Sequence, residues 1–304
     1  MKRERGLAAV TAILIVAVAA SAATLMLAQQ SAMLDQTMLI ASRAQADQYV
    51  RAGLDWSRGV LLEDAVTSGA YDSLDEGWAQ PIAALPVERA VVAGSITDEQ
   101  GKFNLNNLVD GDRQSAPDVG AFKAILASQG LAPELADAVI DWIDVNEDLT
   151  STAGAENPYY LSLPRPYRAA NAPMMQIEEL YRVRGFDAAA VRKLRPYVTA
   201  IPLVRTKVNV NTASEVVLAA LLPAMPREDI ALWVRTRLGK PKKSMAEVAA
   251  WAKSASGIDP LDVKSSNFLV RVQVMQDDVE LASEALVQRV PNAAPVIIWR
   301  RSRY

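Results

Sequence analysis

The sequence predicts an α+β protein in which a long N-terminal helix packs on an antiparallel sheet and a large all-helical domain is inserted into that sheet. Three observations lead there. An apolar run from Leu7 to Ala28 passes, without a proline, into apolar residues spaced by three and four. Runs that favour strand flank the middle of the chain, around Ala90–Asn106 and after Ser266. Between them, from Pro117 to about Ser265, the apolar spacing is helical.

Composition narrows the chemistry. The chain has 304 residues and a formal charge of −3, too small to mark a nucleic-acid surface. It contains neither Cys nor His. Disulfides, thiol nucleophiles, imidazole bases and the usual zinc and iron sites are excluded together. The remaining oxygen donors suit Ca²⁺ or Mg²⁺ among metals. A membrane-anchored hydrolase would need a pair of acidic residues assignable to a substrate, and none stands out. The expected reading is that no reaction occurs here.

Met1-Lys2-Arg3-Glu4-Arg5-Gly6 is a short basic head, and no charge follows from Leu7 to Ala28. At about 1.5 Å per residue that run spans roughly 33 Å, enough for a bilayer core. The basic head should stay on the cytoplasmic side. Ala20-Ser21-Ala22 could serve an ordinary signal peptidase, but the apolar run continues to Leu27. A plain single-pass anchor would explain the length; Gly6, at the polar–apolar junction, favours a third reading, a leader cut between Gly6 and Leu7 with the apolar helix retained.

Beyond the membrane, Ala46, Tyr49, Val50, Gly53, Leu54, Ser57, Val60 and Leu61 mark a face for packing on a globular head. Arg43, Asp47, Arg51, Asp55 and Arg58 alternate in sign at helical spacing and can pair. A helix from Leu7 to about Gly69 would be roughly 95 Å long. Gly53 and Gly59 are candidate close-packing points.

This N-terminus resembles type IV pilins and pseudopilins, which have a short basic leader ending in Gly and then an apolar helix. The family's glutamate at the fifth mature position is replaced here by Thr11. In the family picture that glutamate neutralises the amino terminus of the subunit ahead. A first-in, tip-located subunit can do without it, because an unpaired carboxylate in lipid is costly.

Ala90–Ile96 and Lys102–Asn106 read as two strands of a hairpin turned by Asp98-Glu99-Gln100-Gly101. The segment ITDEQGKFNLNNL also resembles the lead-in to the helical domain of the type II secretion minor pseudopilin K family, which lacks the usual glutamate. Helices are expected at Ala121–Gln129, Pro133–Ile143, Met175–Arg184, Ala188–Tyr197, Ser214–Leu222, Arg227–Leu238 and Ser244–Ala255. Asn267–Val274, Val279–Val290 and Pro295–Arg300 supply three further strands, with Asp277-Asp278 as a turn. Arg300, Arg301 and Arg303 read as strand-end solubilisers, or as contacts to a partner subunit.

Asp141-Trp142-Ile143-Asp144-Val145-Asn146-Glu147-Asp148 ends a helix in an acidic loop. Asp144, Asn146 and Asp148 alternate like the first ligands of an EF-hand, but Leu149 and Ala155 stand where that loop needs Gly and Glu. Glu156, Asn171 and Glu179 could close a different calcium loop. The residues alone leave two readings open: a solvated acidic loop balanced by Arg165 or Arg168, and a cation site. The run DWIDVNED…GAENPYY…YRAANAP…EEL resembles the helical domain of the pseudopilin K family, and that resemblance implies a structural Ca²⁺ held by some of Asp144, Asn146, Asp148, Glu156, Asn171 and Glu179.

Lys207-Val208-Asn209-Val210-Asn211-Thr212-Ala213-Ser214 resembles the start of helix-hairpin-helix domains, with Thr212 or Ser214 as the cap. A membrane-anchored DNA-binding or DNA-uptake protein is therefore the alternative. Its expected Gly-rich turn is replaced by Leu222-Pro223-Ala224-Met225-Pro226. Prolines offer no amide to phosphate. Lys240, Lys242 and Lys243 lie among Glu215, Glu228, Asp229 and Glu247, and no nucleic acid is expected.

Taken in order, these motifs resemble the minor pseudopilin K family over nearly the whole chain. The resemblance implies a leader at 1–6, a transmembrane segment at 7–28, a pilin-like helix and first strands at 29–110, an inserted helical domain at 111–265, and closing strands at 266–304. It also implies cleavage between Gly6 and Leu7 by prepilin peptidase, N-methylation of Leu7, and a single pass through a bacterial inner membrane with the rest periplasmic. The implied partners are minor pseudopilins I and J and the inner-membrane secretion platform. The implied task is to form the pseudopilus tip and to initiate or limit its assembly.

Overall fold

The computed structural model describes residues 2–67, 69–202, 205–253 and 257–303. Helix α1 runs unbroken over Lys2–Thr67, 66 residues, which corresponds to roughly 100 Å. Among the described residues it is the one helix long and apolar enough to cross a membrane, and its apolar window is wholly exposed. The first fully buried side chain on it is Ala46. From there the spacing read in the sequence holds: Ala46, Val50, Leu54, Ser57 and Leu61 are buried, one or two per turn. The charges between them pair along the helix, with Asp47–Arg51 at 2.8 Å and Asp55–Arg58 at 2.9 Å.

Strands β1 (Ile82–Val87) and β2 (Ala90–Asp98) follow. The chain then forms short strands β3 (Phe103–Asn104), β4 (Val109–Asp110) and β5 (Arg113–Gln114) and helices α2 (Ala116–Ser128), α3 (Leu135–Ile143), α4 (Asn157–Leu161) and α5 (Ala188–Leu194). Strands β6 (Val198–Thr199) and β7 (Val208–Asn209), helices α6 (Glu215–Leu221), α7 (Arg227–Thr236) and α8 (Met245–Ala252), and strand β8 (Leu261–Asp262) complete the helical body. The predicted last turn of α8, to Ala255, lies outside the described residues. Three long strands close the chain: β9 (Asn267–Gln276), β10 (Val279–Val290) and β11 (Ala293–Arg303).

The five-stranded sheet has the order β1-β2-β9-β10-β11 and is antiparallel throughout. Phe268, Val270, Val272 and Val274 alternate along β9 onto the α1 face and pack with Val50, Leu54 and Trp78. The opposite face meets the helical body. There Arg301 holds Glu178 at 2.6 Å and Glu284 at 2.6 Å, while Arg271 holds Glu284 at 2.7 Å. Burial would lift the Glu178 carboxyl, but Arg301 and then Arg195 pull it down to about 2. Arg300 reaches back to Asp47 on α1 at 2.9 Å. Arg300 and Arg301 are thus cross-links inside the subunit, not the solubilising strand end expected from sequence; the Arg303 side chain lies outside the described residues.

The expected hairpin over 90–106 does not form. Strand β2 pairs with β1 and β9 instead, and Phe103–Asn104 pairs in parallel with Val198–Thr199. The cause is hydrophobic. Phe103, Leu105 and Leu108 are buried with Phe122, Ile125 and Ile140 in the helical body, so the turn at Glu99–Gly101 sends the chain out of the sheet. The body's core is separate from the sheet's and draws on every helix from α2 to α8.

The two helical glycines differ in their surroundings. A Cβ on Gly53 would sit 2.9 Å from Val272 Cγ1, whereas one on Gly59 meets nothing within 4 Å. Gly59→Ala is expected to stabilise the fold by about 0.5–1 kcal/mol. Gly53→Ala should destabilise it by about 1 kcal/mol or more, because the branched Val272 cannot swing aside. Thermal melts of the two variants check the opposite signs.

Candidate functional site

Helix α3 is the most enclosed element of the helical body; every residue from Ala136 to Ile143 is buried. An apolar helix so placed buries whatever polar residues it carries, and it carries Asp137 and Asp141, with Asp144 as its C-cap. Asp137 is neutralised by Lys123 at 2.9 Å and receives the Ser151 hydroxyl at 2.7 Å. Asp141 and Asp144 have no such cation. Asp141 Oδ1 accepts from the Thr150 amide at 2.9 Å, but Asp141 Oδ2 and Asp144 Oδ1 are buried without a hydrogen-bond donor.

Two further segments bring more of the same. Glu156, the N-cap of α4, is buried with both carboxylate oxygens unsatisfied. Asn171 adopts a positive φ of 43°, donates its Nδ2 to the Asn146 carbonyl at 2.9 Å, and leaves its Oδ1 buried without a donor. Gly154 completes the wall: a Cβ there would collide with Asp141 Oδ2. Its carbonyl is turned outward and accepts from Arg184 at 2.8 Å.

The carboxylates also act on one another. Burial first, then the charges of Asp141 and Asp112, push the Asp144 carboxyl up to about 6. Burial, Asp141 and Asp144 push Glu156 up to about 7, and Asp141 is raised too, chiefly by burial. Neither Arg165 nor Arg168 supplies the balancing charge; both are exposed and neither pairs with a described carboxylate. Buried acceptors without donors or counter-charge cost free energy.

The six residues expected from sequence divide. Asp144, Glu156 and Asn171 each bring a buried oxygen without a donor to this acidic region. Asn146 lies at its rim, where its Oδ1 accepts from the Asp148 amide at 2.7 Å. Asp148 is exposed at the same rim and adds to the field at Asp144. Glu179 is engaged elsewhere: its Oε1 caps the turn Ile177–Arg182, accepting from Met175 and Gln176 amides at 2.6 and 3.3 Å. Asp141 was missed, although the i, i+3 pair with Asp144 on a fully apolar helix was a signal for it.

Another acidic group shows the contrast. Asp64, Asp72 and Glu76 place carboxylate oxygens within 4.8 Å of one another. Arg289 bonds both Asp64 and Asp72 there, so one internal cation meets part of that charge.

The basic patch of the DNA alternative is similarly committed. Lys242 stands over the Trp233 ring at 4.5 Å and Lys243 over Tyr71 at 5.6 Å, while buried Arg237 donates to the carbonyls of Val210, Thr212 and Ala213. Ser214, not Thr212, caps α6.

Comparison with known proteins agrees with this architecture. The family model for type II secretion system (T2SS), protein K matches residues 101–203. The chain is 32% identical to type II secretion system protein K of Aeromonas hydrophila, over 98% of this chain and 97% of that protein. It is 30% identical to the protein of the same description from Pectobacterium carotovorum subsp. carotovorum, over 94% and 92%. Among solved structures it resembles one titled the crystal structure of the GspK-GspI-GspJ complex from the enterotoxigenic Escherichia coli type 2 secretion system, with a TM-score of 0.78 and 23% identity over 88% of this chain and 99% of that one. The chain belongs to the type II secretion system protein K family, the minor pseudopilins of that export system.

Proposed function

We propose that this minor pseudopilin occupies the tip of the pseudopilus, where it joins minor pseudopilins I and J, initiates assembly and blocks growth above itself without catalysing a reaction. The observation that carries this is where the helical body leaves the sheet. Near the membrane end, Ser42 and Gln45 of α1 bond Asp277 and Gln276 at the β9–β10 turn, at 3.0 and 2.7 Å. At the other end, Arg289 donates to the Leu61 carbonyl at 3.1 Å and pairs with Asp64. The body is inserted at that second end, roughly 28 Å further along α1 from Gln45 to Asp64. It therefore crowns the membrane-distal end of the subunit, where a following head would have to stack. A chain in which a tight turn joins Asp98 to Phe268 in place of the body should still enter pseudopili and should yield longer ones by electron microscopy; unchanged length removes the capping role.

The exposed apolar part of α1 supports a single pass through the inner membrane by residues 7–28, with the sheet and helical body in the periplasm and the secretion platform as the assembly site. On this reading prepilin peptidase cuts between Gly6 and Leu7 and methylates Leu7. The mature membrane form should begin with N-methyl-leucine at position 7, and Gly6→Val should leave the leader on and abolish secretion. N-terminal sequencing decides it: a mature chain free of its whole apolar run would overturn the anchor.

We further propose that Asp141, Asp144, Glu156 and Asn171 hold a structural Ca²⁺, with Asn146 and Asp148 at the rim. The donor set is all oxygen and the pocket lacks an internal cation, which is the chemistry such an ion satisfies. A bound ion would clip the end of α3, the 150–156 loop and the Asn171 turn together. Because the folded values of Asp144 and Glu156 lie above their unfolded ones, their contribution without metal is full in acid and lost as pH rises through about 6–7. Calcium needs the ionised forms, so its stabilising effect should run the opposite way. The rise in Tm on adding calcium is expected to be large near about pH 8 and to vanish near about pH 5. Glu156→Gln should weaken binding by more than about tenfold. A Tm indifferent to both calcium and chelator at every pH would sink the site.

A further inference from the structure

The segment Lys207–Ser214 begins like a module that meets an external anion, yet no basic or glycine-rich turn follows it. Asn209 and Asn211 are nevertheless buried and Thr212 half-buried, and all three are hydrogen-bonded. Asn209 Nδ2 lies 3.2 Å from Asp98 Oδ2, and the Thr212 hydroxyl donates to the same oxygen at 2.5 Å. The Ser265 hydroxyl adds a third bond at 2.6 Å, and the Gln100 amide donates to Asp98 Oδ1 at 2.8 Å. Asp98 is the last residue of β2, whereas Asn209 and Thr212 belong to the helical body. Gln100 and Ser265 lie on the outgoing and returning connections between sheet and body.

We propose that the KVNVNTA segment is an internal carboxylate receptor: Asn209 and Thr212 take up Asp98 of the sheet, and this lock fixes the helical body on the pilin-like head. Three neutral donors, Thr212, Ser265 and the Gln100 amide, bond one buried carboxylate. Asn209 Nδ2 shares its protons among Asp98, Ser265 Oγ at 2.9 Å and the Asp72 carbonyl at 3.1 Å. The arrangement suits an acceptor-only anion. Burial lifts the Asp98 carboxyl to about 6, and the Ser265 and Thr212 hydroxyls work against that rise. Gly101 supplies an independent mark of the fit. A Cβ there would stand 2.8 Å from Thr212 Oγ1, so the turn after β2 has to be glycine for the hydroxyl to reach Asp98. Asn211 extends the lock, donating to the Asp72 carbonyl at 3.1 Å and to the Lys242 carbonyl at 2.9 Å. With Asp98 seated, the motif's donors are unavailable to phosphate, which accounts for a DNA-like lead-in on a chain without a DNA surface.

The test uses the full chain in detergent micelles and amide hydrogen exchange. Thr212→Val keeps the side-chain shape but removes one donor. Exchange at residues 99–102 and 263–266 should accelerate about tenfold, while α3 and β10 stay at wild-type rates. Thr212→Ser, which restores the hydroxyl, should bring the connections back to wild type. Asp98→Ala should split thermal unfolding into two transitions, one for the sheet and one for the helical body. Should Asp98→Ala fail to fold, the threonine pair still decides. Connections that exchange within twofold of wild type in Thr212→Val, or acceleration spread equally over α3 and β10, would overturn the lock.

Discussion

Strands β2 and β9 are hydrogen-bonded neighbours from Ala90↔Gln276 to Asp98↔Phe268, yet the entire helical body leaves the chain between them. Two connections must therefore depart and return about one strand spacing apart, roughly 4.8 Å, at the top of a packed sheet. Backbone that leaves a ladder inside a protein needs other partners. That requirement explains the polar residues buried at this junction. Gln100 Oε1 accepts from the Ser266 amide at 2.7 Å and from Asn267 at 2.9 Å, and the Asp72 carboxylate accepts from the Ser265 amide at 2.7 Å. The junction is held by hydrogen bonds because there is no room for two apolar layers between strands that touch.

The two acidic clusters show how one residue type serves two ends. Asp64 and Asp72 are close together and buried or half-buried, but Arg289 lies between them and over the Phe268 ring at 4.5 Å. That one cation offsets part of their charge, and the cluster ties α1 to the sheet's last turn. Among the described residues, Asp141, Asp144 and Glu156 are paired with no arginine, and their carboxyls are raised by burial and by one another.

Legibility in the sequence followed the range of the interaction. Helix α1 was readable because its lipid-facing run and its three-four spacing are local, and β9 and β10 because alternation survives in a sheet with one face on a helix. The hairpin over 90–106 was misread because Phe103 and Leu105 look like strand residues, whereas their partners lie near Phe122 and Val198, far along the chain. Strand β1 was invisible: its run Ile82–Val87 contains Pro86, which only an edge strand tolerates, and its residues are mostly exposed. Within the acidic site, Asp144, Glu156 and Asn171 could be named from the acidic run and the resemblance. Asp141 could not be separated from helix surface without knowing that α3 is enclosed all round, and Glu179 was drawn in by charge although its carboxylate caps a turn.

The two ends of the molecule make consistent demands on each other. A carboxylate at the fifth position after Gly6 would face hydrocarbon unless another subunit's amino terminus met it. On the proposed reading, a body that crowns the distal end keeps any subunit from occupying the place ahead, so that partner never arrives. A hydroxyl there carries no such cost, since in a helix it can return its proton to a carbonyl one turn back, as Ser21 and Thr24 do at 2.8 and 2.9 Å. Thr11 at the membrane end and the insertion between β2 and β9 are thus two consequences of one position in the assembly. The stretch between them, α1 from Val10 to Ile40, keeps its apolar side chains exposed for neighbours that can come only from beside or below.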